Sequence, residues 1–334
     1  MRLVALVESP DHVCTRYRVR AFEPQLRAAG HELELQPFPA DWWGRLTVAN
    51  RERDADAVVL QRRLLSRPEV AILRRRARRL CFDLDDAVWM RDSYSSKGFA
   101  SWKRVNRFRT IVRAADAVIA GNDYLAENAT RAGARSACVI PTCVDVKSYP
   151  VARHAGSGVE LVWVGSSSTL RGLEAITPML ETVGHRVPGA RLKLVCDHFL
   201  RLKDLPVIEA PWSDASERDQ IAAADIGISW VPDDPWSRGK CGLKVLQYMA
   251  AGLPVVTNPV GVHPEMVRHG ETGFLATTEA EWIEAIQTLA RDPNLRRRMG
   301  ARGREVVTER YSVEVGAAKW VNLLSALTTG RATA

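Results

Sequence analysis

The chain has 334 residues, of which 46% are hydrophobic and 26% are charged, and its net charge is +8 at neutral pH. This length suits two domains, and the composition is that of a soluble globular protein, not of a disordered or fibrous one. No apolar run reaches the roughly 18–20 residues of a membrane-spanning helix. The opening MRLVALVESP predicts a buried strand and not a signal peptide. The six cysteines have no zinc-binding spacing, so we expect reduced thiols in a cytoplasmic protein.

Short apolar runs and amphipathic segments alternate through the first 150 residues. The apolar runs predict strands at Leu3–Val7, Glu32–Leu35, Ala57–Leu60, Leu80–Leu84, Ala117–Ala120 and Ala137–Ile140. The segments between them predict helices at Phe22–Ala29, Pro68–Arg79, Val105–Ala115 and Tyr124–Ala132. Strands that alternate with helices indicate a parallel, doubly wound sheet.

Residues 150–158 (PVARHAGSG) lack any periodicity and predict a linker, after which the alternation restarts. Strands are predicted at Leu161–Val164, Leu192–Cys196, Ile226–Trp230 and Pro254–Thr257. Helices are predicted at Leu170–His185, Ser216–Ala224, Leu243–Ala251, Glu279–Arg291, Pro293–Thr308 and Val313–Leu327. The pattern predicts an α/β protein with two Rossmann-like doubly wound domains, at 1–150 and 158–312, followed by a closing helix and tail at 313–334. Ligands of such sheets bind beyond the carboxyl ends of the strands, so we expect a site in a cleft between facing domains.

The segment Lys240–Val256 (KCGLKVLQYMAAGLPVV) carries the clearest chemical signal. Two lysines and a glycine precede a helical run, which ends in an apolar strand. The first N–H groups of a helix have no intrahelical partner and lie at the positive end of its dipole. Together with Lys240 and Lys244 they suit an anion such as the diphosphate of a nucleotide-sugar.

Several segments, in one order along the chain, resemble GT-B glycosyltransferases of family four, which retain the anomeric configuration. These are the connector 139–149 and the donor-domain segments 162–176, 224–256 and 261–276. The resemblance implies transfer of a sugar from a nucleotide diphosphate donor, bound by the second domain, to an acceptor hydroxyl bound by the first. It also implies catalysis without a metal or other cofactor, and a role in glycan or glycolipid biosynthesis.

The same resemblance assigns the donor-binding residues. The diphosphate would contact Gly165, Ser166, Arg171, Lys240, Cys241, Gly242, Leu243 and Lys244. The ribose would contact Gln247, and the base would contact Pro211, Trp212 and Ser213.

Two positions depart from the family pattern. The family usually carries two glutamates in this region, one touching the transferred sugar and one binding the ribose, and here these positions are Gly239 and Gln247. An amide still bonds a diol as donor and acceptor, whereas glycine replaces no carboxylate. Asp233 or Asp234 could take over from the first glutamate, the sugar could be held differently, or the protein could have little or no activity. On this basis Gln247→Glu should preserve or improve donor binding.

In the first domain, FDLDDAVW (82–89) places three aspartates at the end of a strand. Alternation along a strand would put Asp83 and Asp85 on one side and Asp86 on the other. We assign Asp85 and Asp86 as catalytic carboxylates, which would orient the acceptor hydroxyl or accept its proton. An aspartate triplet also suits a divalent metal, but the family resemblance favours a site without one.

The loop after the first strand supplies the predicted acceptor-binding residues His12, Arg16, Tyr17 and Arg18. They are candidates for contacts to a lipid-linked or phosphorylated acceptor. Their alternative role is to enter a helix and bond nearby carboxylates.

The net positive charge belongs entirely to the first half. Residues 1–150 hold 26 Lys and Arg against 18 Asp and Glu, whereas residues 151–334 hold 21 of each. Arg74, Arg75, Arg78 and Arg79 cluster on one predicted helix, which suggests peripheral contact with an anionic membrane at its inner face. A solvated helix face explains the same arginines. No recognition motif or interleaved aromatic residue suggests nucleic acid as a partner.

Two other functions remain open. A nucleotide-sugar epimerase would share the fold, although Gly239 argues against acid–base chemistry beside the sugar. A non-catalytic nucleotide-sugar-binding protein is favoured by the two missing glutamates. Release of free nucleotide diphosphate in the presence of acceptors discriminates among the three.

Overall fold

The computed structural model describes residues 1–51, 55–154 and 158–329, and it contains two compact units. The first unit contains the described residues of Met1–Cys143, the segment Asp234–Cys241 and the C-terminal helix that begins at Val313. The second unit contains Val144–Asp233 and Gly242–Ser312. The chain therefore passes between the units several times, once between Cys241 and Gly242. Part of the predicted linker (155–157) and the end of the predicted tail (330–334) lie outside the described residues.

The first unit is built on a sheet in which every described strand pair is parallel. Its strands lie in the order β2-β1-β3-β4-β5-β6. They are β1 Arg2–Val7, β2 Glu32–Pro37, β3 Ala57–Gln61, β4 Leu80–Leu84, β5 Ala117–Ala120 and β6 Ala137–Val139. The central strands β3, β4 and β5 are buried at every position, because helices cover both faces, and this explains their continuous apolar runs.

The helices of this unit are α1 Val13–Arg18, α2 Glu23–Ala28, α3 Trp42–Arg51, α4 Arg67–Arg76, α5 Trp102–Ala114, α6 Asp123–Arg131 and α14 Val313–Thr329. The last of these, α14, packs its apolar side on the sheet core, where the Trp320 ring lies 6.3 Å from that of Phe22. Gly316 allows this approach, because a Cβ there would lie 2.7 Å from the Cys143 sulfur.

The second unit contains a second parallel sheet in the order β12-β11-β10-β7-β8-β9. Its strands are β7 Val159–Val164, β8 Ala190–Cys196, β9 Val207–Pro211, β10 Ile226–Ser229, β11 Val255–Thr257 and β12 Gly273–Leu275. Its helices are α7 Ser167–Glu174, α8 Thr177–Arg186, α9 Glu217–Ala222, α10 Leu243–Ala250, α11 His263–Met266, α12 Glu279–Arg291 and α13 Pro293–Arg310. Numbered within the unit, this is the 3-2-1-4-5-6 order of the doubly wound Rossmann fold. The prediction of two doubly wound α/β units is confirmed.

Some predicted elements differ from the observed ones. The single helix predicted over Leu170–His185 is two helices, α7 and α8, separated at Ala175 and Ile176, and Pro178 lies in the first turn of the second. Helices α1 and α3 and strand β9 are short or weakly periodic, and they were not predicted. Within the described ranges, no helix combines the length and the apolar character needed to cross a bilayer.

Candidate functional site

In the second unit, the candidate site lies where the strand order reverses, at β7 and β10. Strands β8 and β9 extend from β7 on one side, and β11 and β12 extend from β10 on the other. Doubly wound sheets bind ligands beyond the carboxyl ends of the strands at this point. The predicted loop at Gly165 and Ser166 follows β7 directly, and it leads into α7.

Helix α10 begins at the edge of the sheet where the strands' carboxyl ends lie, and its first turn has no side-chain cap. Its N-cap is Gly242 in the left-handed conformation (φ +63°), and no side chain caps the helix. This left-handed dihedral favours glycine, and a Cβ here would also lie 2.6 Å from the Met266 sulfur, which would have to shift. A helix start without a side-chain cap is a place where first-turn N–H groups can meet an anion.

The Lys244 side chain links α10 to the loop after β7. Its ammonium lies 4.8 Å from the centre of the Trp163 ring and 3.3 Å from Thr169 Oγ1. A Cβ on Gly165 would lie 2.7 Å from the same Thr169 oxygen. The structure thus brings Lys244 close to the helix that follows the glycine loop.

The start of α7 is already occupied by a carboxylate. Asp197, directly after β8, accepts from the Ser167 N–H (2.6 Å) and from its hydroxyl (2.9 Å). Burial opposes its ionisation, but these hydrogen bonds outweigh that and hold the pKa of Asp197 well below its usual range. Arg171, predicted to contact the diphosphate, lies on the second turn of α7 and is exposed.

Glu217, a buried carboxylate that the sequence did not single out, accepts hydrogen bonds from the predicted ribose and base residues. Glu217 accepts from Gln247 Nε2 at 2.5 Å and from the indole N–H of Trp212. Glu217 and Gln247 are both almost fully buried, whereas Trp212 is 40% exposed. Trp212 lies between the end of β9 at Pro211 and the start of α9, beside Ser213. The only sequence signal for Glu217 is its place in the first turn of a predicted helix.

Lys240 and Cys241, predicted to bind the donor diphosphate, belong to the first unit. The Asn122 amide donates to the Lys240 carbonyl oxygen at 3.1 Å. The Cys241 thiol donates to the Asp85 carbonyl oxygen (3.3 Å) and is buried, which raises its pKa. Cys241 is thus a packed core thiol in this unit.

Gly239 has no space for the family's glutamate. A Cβ at this position would lie 2.8 Å from the Ala87 backbone nitrogen and 3.2 Å from Leu125 Cδ2. A backbone neighbour cannot rotate away as a flexible side chain can. The missing carboxylate is therefore a consequence of close packing within the first unit.

In the first unit, strand order reverses at β1 and β3, and the residues after these strands converge on the end of β4. Arg62, directly after β3, binds Asp85 (2.8 Å) through one nitrogen and Asp86 (2.7 Å) through another. The Arg62 backbone adopts a positive φ of 57° to do so. The expected separation of Asp85 from Asp86 is wrong, because β4 ends at Leu84 and alternation does not extend beyond it.

This arrangement shifts the pKa values of the two carboxylates in opposite directions. Burial alone would raise the pKa of Asp85, but Arg62 and Arg18 outweigh it and hold that pKa below its usual value. Burial, together with the charge of Asp85, raises the pKa of Asp86 against the opposing effect of Arg62. Asp86 is therefore the more basic carboxylate of the pair.

The predicted acceptor residues separate into two groups. Arg18 differs from the prediction, because its guanidinium is buried, pairs with Asp83 at 2.5 Å and donates to the Ile140 carbonyl. Tyr17 is also buried. His12 caps α1 by accepting from the Cys14 N–H at 3.3 Å, and both His12 and Arg16 are half-buried. Only His12 and Arg16 are thus accessible to an acceptor.

Arg62 and Gln61 are the residues of this edge that the sequence analysis missed as site residues. Gln61 accepts from Thr15 Oγ1 (3.0 Å) and donates to Asp83 (3.3 Å), which connects α1, β3 and β4. Their position directly after the apolar run 57–60 was the available signal. Within the described residues, no group of three His, Cys, Asp or Glu side chains is placed to hold a metal ion.

Residues 235–306 match the family model described as glycosyl transferases group 1. N-acetyl-alpha-D-glucosaminyl L-malate synthase from Bacillus anthracis is 42% identical over 76 residues, which cover 22% of this chain and 20% of that protein. Alpha-maltose-1-phosphate synthase from Mycolicibacterium smegmatis is 30% identical over 135 residues, covering 33% and 34% respectively. The chain thus spans about a third or less of the length of the curated relatives it matches.

Solved structures match over nearly the whole chain. Sucrose-phosphate synthase from Thermosynechococcus elongatus has a TM-score of 0.77 at 17% identity, covering 99% of this chain and 100% of that one. Anabaena HepE in complex with UDP and glucose has a TM-score of 0.65 at 18% identity, covering 98% and 100%. The fold is therefore that of GT-B glycosyltransferases. Residues 235–306 belong to the group 1 glycosyl transferases, which confirms the family resemblance inferred from the sequence.

Proposed function

We propose, from this family membership, that the chain is a glycosyltransferase that moves a sugar from a nucleotide diphosphate donor to an acceptor hydroxyl with retention of configuration. The observation that carries the proposal is the placement of Lys244 and the uncapped start of α10 beside the Gly165 loop, at the switch point of a Rossmann sheet. A departing diphosphate gains negative charge at its bridging oxygen, and preorganised N–H groups and an ammonium stabilise that charge.

The nucleotide portion would lie on the residues around Glu217. Trp212 offers an exposed aromatic face to a base, and its indole N–H is fixed by the Glu217 carboxylate. The same carboxylate accepts from the Gln247 amide, so the pair together would present acceptors to a ribose diol. HepE was solved with UDP, which makes UDP the first nucleotide to test.

The first unit would contribute the acceptor side of the reaction. Asp85 and Asp86, held by Arg62, would orient the acceptor hydroxyl, and Asp86 would take its proton. His12 and Arg16 are the accessible residues for acceptor contacts, with a lipid-linked or phosphorylated acceptor best suited to a cationic surface. We propose that the reaction needs no metal, so that chelation with EDTA leaves transfer unchanged.

Calorimetric titration of UDP into the protein and into Lys244→Ala tests the donor site. Loss of a charge-assisted contact to phosphate should weaken binding by about 1.5–3 kcal/mol. Lys203→Ala removes an exposed lysine of the same unit and is the matched control. Unchanged UDP affinity in Lys244→Ala would reject the site.

A non-catalytic nucleotide-sugar-binding protein is the second candidate, and the absence of space for a carboxylate at Gly239 favours it. It predicts UDP binding without turnover. Release of UDP from UDP-sugars in the presence of hydroxyl acceptors, measured with Asp86→Asn as control, separates the two. A nucleotide-sugar epimerase would instead convert the donor sugar without releasing UDP.

A further inference from the structure

A groove between α4 and α5 in the first unit is lined by arginines from both helices. It encloses about 620 Å³. We call it the arginine groove, and its polar lining consists of Arg67, Arg74, Asn106, Arg109, Thr110 and Arg113. Val70 and the small side chains Ala71 and Ala114 complete its lining. No acidic residue lines the groove among the residues that the structure describes.

The charges of the groove are only partly neutralised. Arg67 and Arg109 are exposed, and neither pairs with a carboxylate in the described part of the chain. Arg74 binds Asp116 at 2.7 Å, and Arg113 donates from Nε to the Ala132 carbonyl at 3.1 Å, which leaves its outer nitrogens uncommitted to that bond. The groove therefore keeps a net positive charge in a concave surface, where an anion is attracted most strongly.

Three of the four arginines in the predicted basic surface have partners within the protein. Of the four arginines expected to form an exposed patch on α4 and just beyond it, Arg74 binds Asp116, Arg78 lies 3.5 Å from Asp56, and Arg79 donates to the Leu327 carbonyl at 2.8 Å. Only Arg75 remains exposed without such a contact in the described residues. Two further exposed cations, Arg67 and Arg109, line the groove between α4 and α5.

We propose that the arginine groove binds phosphate groups, and that its ligand carries more than one of them. Guanidinium groups present paired N–H donors that match phosphate oxygens, and lysine is absent from the lining. Arg67 and Arg74 are two turns apart on α4, about 10 Å along its axis. A single phosphate does not span that distance, whereas a polyphosphate or several lipid headgroups do.

Two probes distinguish the sources of phosphate. Sodium tripolyphosphate, titrated calorimetrically at low salt, tests a soluble polyphosphate. Flotation with phosphatidylcholine vesicles, with and without phosphatidylglycerol, tests lipid headgroups. The test variant is Arg67→Gln/Arg109→Gln, and the matched control is Arg75→Gln/Arg131→Gln, which removes two exposed arginines of the same unit outside the groove. High salt should weaken every genuine interaction by screening.

We expect the groove variant to lose at least about tenfold in affinity for one of the two probes, and the control to change by less than about twofold. Loss confined to tripolyphosphate identifies a soluble phosphate ligand, and loss confined to vesicles identifies a membrane surface. If neither probe binds the unmodified protein, or if both variants lose equally, the groove is not a phosphate site. Neither substituted arginine of the test variant has a described partner, so unfolding temperatures should not move.

Discussion

The two units are both built on parallel doubly wound sheets, but they differ in the charged groups at the edge where the strands' carboxyl ends lie. In the first unit the edge is closed by ion pairs, with Arg18 bound to Asp83 and Arg62 bound to Asp85 and Asp86. In the second, the edge presents an uncapped helix start, a glycine loop, and Lys244 over an aromatic ring. The first arrangement fixes carboxylates in place, and the second places a lysine beside a helix start that no side chain caps. A shared fold therefore does not determine which charges its edge offers to ligands.

The largest effect is expected from breaking the most buried pair. Arg18→Met leaves the Asp83 carboxylate buried without its cation and should lower the free energy of unfolding by about 3–5 kcal/mol. Urea-induced unfolding followed by tryptophan fluorescence measures this loss.

The control for this comparison is Arg20→Met, whose partner Asp11 has a 90% exposed side chain, and its cost should not exceed about 1 kcal/mol. The double variant Arg18→Met/Asp83→Asn removes both charges and should recover at least half of the loss. A double variant as unstable as Arg18→Met would mean that packing, and not the unpaired charge, sets the cost.

Adding a negative charge to the second unit should have a smaller effect than breaking the Arg18–Asp83 pair. Gln247→Glu puts a second carboxylate beside Glu217, in place of an amide that donates to it at 2.5 Å. The sequence alone predicts preserved or improved donor binding, but the buried pair reverses that expectation. We expect UDP affinity to fall about tenfold by calorimetry, since a hydrogen bond becomes a like-charge contact.

The swapped variant Glu217→Gln/Gln247→Glu sharpens this prediction. It returns the carboxylate to α10, where the family usually has it, and keeps one charge in the pair. UDP affinity should recover to within about threefold of the unmodified protein. Tighter binding by Gln247→Glu alone would show that the pair does not form in solution.

The smallest effect concerns the anion already present at the start of α7. Asp197→Asn removes a carboxylate that competes with phosphate for the Ser167 N–H, so UDP should bind about two- to fivefold more tightly. Because hydrogen bonds hold the pKa of Asp197 below its usual range, the carboxylate stays ionised until pH falls well into the acidic region. The gain should therefore be constant between neutral and mildly acidic pH. A gain that vanishes near neutral pH would point to a different titrating group.

The fold class could be predicted from the sequence, because the patterns that indicate strands and helices are local and repeat along the chain. Buried parallel strands read as continuous apolar runs, and their alternation with helices predicts a doubly wound sheet without any knowledge of contacts. The α10 segment was also predictable, because Gly242 immediately precedes the helix and Lys244 lies in its first turn.

The partners of the site residues were not predictable in this way. Glu217 meets Gln247 across 30 positions of sequence, and Arg18 meets Asp83 across 65. Nothing in the local pattern around Arg18 separates a buried ion pair from an acceptor contact. These pairings depend on which strand ends the sheet order brings together, a choice made by packing and not by periodicity.

The sequence by itself determined two doubly wound units, a helix start suited to an anion, and a positive charge confined to the first half. Only the tertiary structure decided that Gly239 has no space for a carboxylate, that Gln247 is bound to Glu217, and that Arg67 and Arg109 line one groove. The physical reason is that secondary structure follows from the preferences of neighbouring residues, whereas free volume and charge pairing arise from segments distant in the chain.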